Sequence, residues 1–521
     1  MNRKWWTLGA VCVGIFMLLL DITIVNVALP DIARDFHANL ADLQWVIDAY
    51  ALSPAALLLT SGSLADLFGR RRLFAVGIVV FTVGSALCGV STGPVFIIAA
   101  RAFQGIGGAI MFATSLALLA SAFHGRERGT AFGIYGAVTG VAVAVGPVLG
   151  GVLTSGISWR WIFYVNIPIG IVALAITLWR VDESKNPHAK RPDLLGFLTF
   201  SAALGALVYG LIESSTTGWS SAHVVVPLIC AGALLVAFIA VEHFQSSPML
   251  DFSLLRKPTF TGGLIAAFGI NASVFALITY LVLYLQDSLG LSAVATGVRF
   301  LLLTGAIFVT AAVAGRLTAH VPVKWLIAPG FVVAGTGVVL MTGLGPTSSW
   351  THLIPGFVVS GVGIGLVNVP LASTAVGVVE PARSGLASGI NSTLRQVGTA
   401  TGIAALGSIF SAKVAATVRS QLATTPLHHF ASSIATAITS GAGTGQGGHV
   451  LRGRDAALVS YAARSGFVHG LNDILWVGAA VAFASAVLCL LLIRQRDFVS
   501  SHAGGGATAP VPGSEPLAAA H

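Results

Sequence analysis

The sequence predicts an all-α polytopic membrane protein of fourteen transmembrane helices, arranged as two six-helix bundles with a two-helix insert between them. Three observations carry that prediction. The 521 residues are 55% hydrophobic and only 9% charged, too little charge to cover a soluble surface of that size. Fourteen apolar runs approach the roughly 20 residues that a helix needs to cross a bilayer. The basic residues gather in alternate loops, as membrane topology requires.

The predicted spans are 7–29, 44–64, 73–91, 94–121, 131–153, 162–179, 194–212, 223–243, 259–283, 294–315, 323–343, 352–376, 386–410 and 470–493. The first follows Arg3 and Lys4, is too long for a secretory core and lacks a small-residue cleavage pattern before Pro30, so it is expected to be retained as an anchor. The four cysteines, Cys12, Cys88, Cys230 and Cys489, all fall within spans without CxxC spacing, so neither a disulfide framework nor a zinc site is implied.

With the N-terminus inside, eighteen of the 28 Lys and Arg residues fall in the inward segments, counting Lys324 at the inner end of its span, while the short outer loops hold only Arg34 and Arg160. A count wrong by one span would scramble this asymmetry. The net charge of +9 is therefore a topology signal, and it does not call for nucleic acid.

An internal repeat organises the spans. An offset of 253 aligns Gly62, Leu64, Arg71 and Leu73 with Gly315, Leu317, Lys324 and Leu326, and an offset of 256 aligns Gly105, Gly107, Gly133 and Gly146 with Gly361, Gly363, Gly389 and Gly402. Parallel six-helix halves with a site between them near the midplane are one way secondary transporters are built. The expected domains are 1–190, a six-helix half; 191–250, the insert and linker; 251–498, the second half with an extracytoplasmic loop at 411–469; and 499–521, a disordered cytoplasmic tail.

The motifs narrow this to a family. Gly62-Ser-Leu-Ala-Asp66-Leu-Phe-Gly69-Arg70-Arg-Arg resembles the signature loop of the major facilitator superfamily, with Leu67 standing where a basic residue is more usual. Arg101-Ala-Phe-Gln104-Gly105-Ile-Gly107 resembles its fourth-helix motif. The stretch from Gly140 to Gly151, with Gly146-Pro147, resembles the antiporter motif of its fifth helix. Leu20-Asp21-Ile-Thr-Ile-Val-Asn26-Val-Ala-Leu-Pro30 and Trp159-Arg-Trp-Ile-Phe-Tyr-Val-Asn166-Ile-Pro168 are similar to segments of the fourteen-helix drug:proton antiporters. The resemblance covers residues 5 to about 410. It implies the major facilitator fold and proton-coupled export of small amphipathic compounds such as drugs, antibiotics and antiseptics. A dedicated exporter of one endogenous metabolite or antibiotic, and a transporter-like sensor, are the alternatives.

Each motif also has a physical reading. A tight turn calls for Gly62 and Gly69, and Asp66 with Arg70 can form a gating charge pair between helix ends. Pro147 and the glycines around it let a helix bend and pack closely. Charge at bilayer depth is costly enough to mark function, and Asp21, Asp48, Arg101, Arg299 and Arg395 lie well inside spans. At about 1.5 Å per residue, Asp21 is roughly 13 Å below the outer end of its helix, with Asp48 and Arg101 at about 7 and 10 Å.

Low dielectric favours a neutral carboxyl and a nearby arginine favours a charged one. Movement between such environments makes Asp21 the expected proton carrier, tuned by Arg101 and Gln104, with Asp48 as the second candidate. Arg299 can snorkel to the outer interface. Arg395, in Asn391-Ser-Thr-Leu-Arg395-Gln396, is too deep for that, and it either lines the cavity or joins a buried polar cluster. Asn26, Asn271 and Asn368 are further cavity candidates.

What is missing from the sequence narrows the chemistry. None of the six lysines follows a glycine, so no phosphate-binding GxxxxGK loop exists and an ion gradient or the substrate's own gradient, rather than ATP, is the expected drive; the resemblance implies that the ion is the proton. All thirteen histidines lie in loops or near span ends, which leaves no histidine relay and no membrane metal site. Gly89-Val-Ser91-Thr-Gly93 matches GxSxG, but no strand precedes it and no acid or histidine accompanies it, so an enzyme is not expected. No cofactor is expected, and the partners are a small-molecule substrate, protons and the bilayer. The expected setting is the plasma membrane, with both termini cytoplasmic and the chain monomeric. The segment 411–469 is read as a solvated, partly helical loop, with a cap or an accessory-partner site as the alternative.

Overall fold

The structure is a computed structural model, described over residues 3–123, 125–185, 193–245, 252–318, 320–379, 384–439 and 454–498. These residues form helices joined by short turns. Every predicted span is helical: α1 Arg3–Phe36, α2 Leu40–Phe68, α3 Arg70–Gly89, α4 Pro94–Ala122, α5 Gly125–Gly156, α6 Trp161–Arg180, α7 Leu194–Thr217, α8 Ala222–Phe244, α9 Pro258–Ser288, α10 Ala293–Leu317, α11 Lys324–Leu340, α12 Ile354–Gly377, α13 Ser384–Leu422 and α14 Arg454–Leu492. Twelve helices among the described residues are long and apolar enough to cross a membrane. The other two are α11, shorter at 17 residues, and α2, which has 29.

Local chemistry sets where the helices start. Asn39 and Asp42 form a reciprocal capping box at α2, Asp193, Ser221 and Ser292 cap α7, α8 and α10, and Pro94 and Pro258 occupy first turns, where a missing N–H costs nothing.

The packing repeats. In the first bundle α1 lies against α5 and α6, α4 against α2 and α3, and α3 against α6. In the second, α9 lies against α13 and α14, α12 against α10 and α11, and α11 against α14. Each pairing in one bundle thus recurs eight helices later. The bundles meet along two seams, α5 with α10 and α2 with α13, which the same shift exchanges. From the insert, α7 packs on α2 and α13, while α8 packs on α7 and exposes Val226, Ile229 and Val236.

Ion pairs of Arg3 with Asp182 and Lys4 with Glu127 put the starts of α1 and α5 and the end of α6 on one face, here the terminal face. Phe36 and Leu40 mark the opposite face.

Two expectations change. The segment 411–469 is not mainly a loop: α13 runs on to Leu422 and α14 starts at Arg454, with a nine-residue helix at Ala431–Thr439 between them. Its Ala, Ser and Thr content hides an apolar stripe, Val414, Val418 and Leu422, spaced four apart, fully buried, and packed in part against Gly466 and Gly470 of α14. Gly62 is not in a turn. It lies within α2, and the link to α3 is Gly69 alone. The tail 499–521 and residues 440–453 lie outside the described residues.

Candidate functional site

Asp21 is fully buried in the first bundle. Arg101 Nη1 of α4 lies 2.5 Å from its Oδ2, and its Oδ1 accepts from Gln104 Nε2 at 2.9 Å and Asn166 Nδ2 at 3.0 Å. Every partner is a donor, the pattern that suits an ionised carboxylate. Arg101 Nη1 also donates to Gln104 Oε1 at 2.7 Å and Nε to the Val46 carbonyl at 3.2 Å, and the guanidinium stands 4.1 Å from the centre of the Tyr50 ring. Desolvation on this scale is tolerable only with pairing this complete.

Helix geometry delivers these groups. Arg101 and Gln104 are three apart and share a face of α4. Gly105 lets α4 close on α2, since a side chain there would meet Ser53 Cβ and the Tyr50 carbonyl at 2.7 Å. Asn166 sits where α6 breaks at Val165 and resumes, and its Nδ2 also reaches Ser85 Oγ, which donates to the Phe163 carbonyl. Asn166 and Ser85 were not among the expected site residues. Asn166 lies within a quoted motif, but an uncharged amide in an apolar run carries little warning.

Asp48 does not join this group. It is fully buried, and among the described residues neither carboxylate oxygen has a hydrogen-bond partner.

Among the described residues five hydrogen bonds bridge the two bundles, all in the half nearer the opposite face. Gln44 Nε2 donates to Tyr280 Oη at 3.0 Å and to the Ile403 carbonyl at 3.3 Å, and Tyr280 donates to the same carbonyl at 2.7 Å within the second bundle. Thr279 Oγ1 donates to Asn26 Oδ1 at 3.1 Å, Gln286 Nε2 to the Val27 carbonyl at 2.7 Å, and Val294 N to Ser155 Oγ at 3.4 Å. The α5–α10 seam closes beside them on small residues: a side chain at Gly151 would meet the Ala293 carbonyl, and one at Gly297 the Pro147 carbonyl. Gly146 and Gly150 face Thr23 and Ile24 of α1. Asn26, expected in the cavity, is a bridge between bundles.

On the terminal face, Gly69 has φ 110°, a left-handed conformation that side chains resist. Glu183, another residue not singled out from sequence, accepts from Arg71 N at 3.1 Å and Arg72 N at 3.3 Å, which places a carboxylate at the positive start of α3. The Asp66 side chain, and with it the expected pair with Arg70, lies outside the described residues.

In the second bundle, Arg395 Nη1 donates to Asn368 Oδ1 at 3.0 Å and Nε to Asn391 Oδ1 at 3.4 Å. Thr399 Oγ1 donates to Asn271 Oδ1 at 3.4 Å, so four of the expected residues form a polar cluster. Gln396 makes no described hydrogen bond to it. Arg299 stays near the opposite face, 4.5 Å from the Trp350 ring centre and bonded to the Ala295 carbonyl. Among the described residues no group of three or more His, Cys, Asp or Glu is placed to hold a metal.

Comparison with known proteins agrees with this architecture. The chain is 36% identical to Multidrug resistance protein Stp of Mycobacterium tuberculosis over 81% of this chain and 79% of that one. It is 34% identical to Puromycin resistance protein pur8 of Streptomyces alboniger, covering 98% and 95%. It is 32% identical to the Tetracenomycin C resistance and export protein of Streptomyces glaucescens, covering 94% and 91%. The solved structure of a bacterial homolog to the human lysosomal transporter Spinster, inward-facing and occupied, superposes with a TM-score of 0.64 at 16% identity, over 96% of this chain and 99% of that one, a likeness of fold. Residues 11–403 match the model of the Major Facilitator Superfamily, and the chain belongs to that family.

Proposed function

We propose that this chain is a proton-coupled antiporter that exports small amphipathic compounds across the plasma membrane by alternating access, with both termini in the cytoplasm. The observation that carries the reading is the buried Asp21–Arg101 pair. A proton on that carboxyl removes the charge that answers Arg101 and weakens every donor bond around it. Protonation is therefore tied to movement of α1. That helix bears Thr23 and Ile24 against α5 and Asn26 and Val27 against α9. Asp48 is the second proton-coupling candidate.

The bundle-bridging contacts near the opposite face act as the outer gate. With them made, the path opens towards the terminal face; Pro147 lies in the α5–α10 seam that must part, and Gly146 beside it packs α5 on α1. Gly69 and Arg70, with Asp66, form the inner gating loop. The relatives' names support drug efflux, and two of them carry the name of one antibiotic each, which keeps a dedicated exporter as the second reading.

The test is proton movement in proteoliposomes loaded with a panel of amphipathic compounds. Wild type exchanges compound for protons, and D21N does not. Coupled exchange by D21N would refute the role of Asp21.

A further inference from the structure

The charges at bilayer depth do not balance around the second bundle. Asp21 and Arg101 neutralise each other at 2.5 Å, and Arg299 rests on Trp350 towards the opposite face. Among the described residues no carboxylate pairs with Arg395, whose side chain donates to two asparagine oxygens. It lies eleven residues into α13 from Ser384, about 16 Å along the helix. A cation at that depth is costly unless something answers its charge.

The cluster also has more donors than acceptors. A guanidinium carries five N–H groups, and two of its nitrogens, Nε and Nη1, are engaged in these bonds. Asn391 spends its oxygen on Arg395, and its Nδ2 is buried without an acceptor. Beside the cluster, α9 makes a π-helical turn at Asn271–Phe275, and Asn271 accepts from Thr399 of α13. Such turns recur at functional sites because they re-aim side chains. Finally, Arg395 is two turns closer to the terminal face than Ile403, the gate contact on the same helix. A compound arriving from the terminal face meets it before the closed gate.

We propose that Arg395, held by Asn368 and Asn391, is an oxyanion subsite that binds a carboxylate group of the exported compound. The planar fork of the guanidinium matches a carboxylate bidentately, and the Asn391 amide adds a neutral donor. This rests on the export reading above but not on its proton step, because binding alone tests it.

The experiment uses the full chain in nanodiscs of neutral lipid, titrated with 1-pyrenebutyrate and with its methyl ester, which differ only in the charge. Wild type binds the carboxylate more tightly than the ester, and R395Q lowers that preference about ten-fold or more, as expected for a charge-assisted hydrogen bond. R395K, which keeps the charge without the fork, retains part of the preference. This guards against a loss caused by misfolding. Equal binding of acid and ester by wild type, or an unchanged preference in both variants, overturns the proposal. Loss of the preference in wild type when phosphatidylglycerol enters the disc assigns the subsite to a lipid phosphate and overturns the carboxylate-cargo claim. A failure of proton coupling by Asp21 would leave each of these outcomes readable.

Discussion

Asp21 and Asn26 lie five residues apart on α1, about 7.5 Å along the axis. The first is held by Arg101 inside one bundle, and the second by Thr279 of the other. A single rigid helix therefore joins the buried ion pair to the contacts that close the opposite face. Thr23 and Ile24 between them rest on Gly146 and Gly150 of α5, so α1 cannot shift without disturbing both its packing on α5 and its contact with α9.

The two buried carboxylates should respond differently to amide substitution. D21N leaves Arg101 charged and without its counter-ion, a loss of roughly 3–5 kcal/mol for a broken buried pair. D48N removes a carboxylate whose oxygens have no hydrogen-bond partner, so stability should be unchanged or higher. Thermal unfolding of the purified proteins in one detergent decides it. A midpoint lowered as far by D48N as by D21N would count against the partner assignments.

Gly69 is predicted to be intolerant for two reasons. Its φ of 110° costs a side chain about 1–3 kcal/mol, and a Cβ would lie 2.6 Å from Glu183 Oε1, displacing the cap on α3. G69A should lower both the thermal midpoint and the transport rate. E183Q keeps shape but loses charge at the helix start, a smaller effect of about 0.3–1 kcal/mol. If E183Q proves as damaging as G69A, the strain argument fails.

Much of this was readable in the sequence and some was not. The fourteen helices and the Asp21–Arg101 pair follow from apolar length and the cost of buried charge, which leave strong marks, and Gln104 from the resemblance of its fourth-helix motif. The gate does not, because Gln44, Tyr280, Thr279 and Gln286 are single uncharged groups in apolar runs, and only the packing of two bundles brings them together. Asn26 appeared as a cavity residue for the same reason. Glu183 lay in a charged linker where one carboxylate looks like another. The extension of α13 was hidden because Ala, Ser and Thr dilute the hydropathy of the stripe at Val414, Val418 and Leu422.

The gate should loosen when one hydroxyl is removed. Y280F loses the bonds to Gln44 and the Ile403 carbonyl, leaving the Gln44 amide with its long contact to that carbonyl alone. A buried polar group deprived of its partner costs about 1–3 kcal/mol, enough to shift the balance towards a state open on the opposite face by about ten-fold. Ile47 lies on α2 three residues beyond Gln44 and is partly buried; labelling of I47C by a membrane-impermeant thiol reagent, in a background without the native cysteines, should quicken accordingly. An unchanged rate would mean that these contacts do not hold the face closed.

The same labelling, followed as a function of pH in wild type and D21N, tests most directly whether the proton site drives the gate. Once the rate is divided by the thiolate fraction of the labelled cysteine, I47C labelling should still change with pH when Asp21 is present and should be level across the same pH range in D21N. Titration of the gate in D21N matching that of wild type would contradict it.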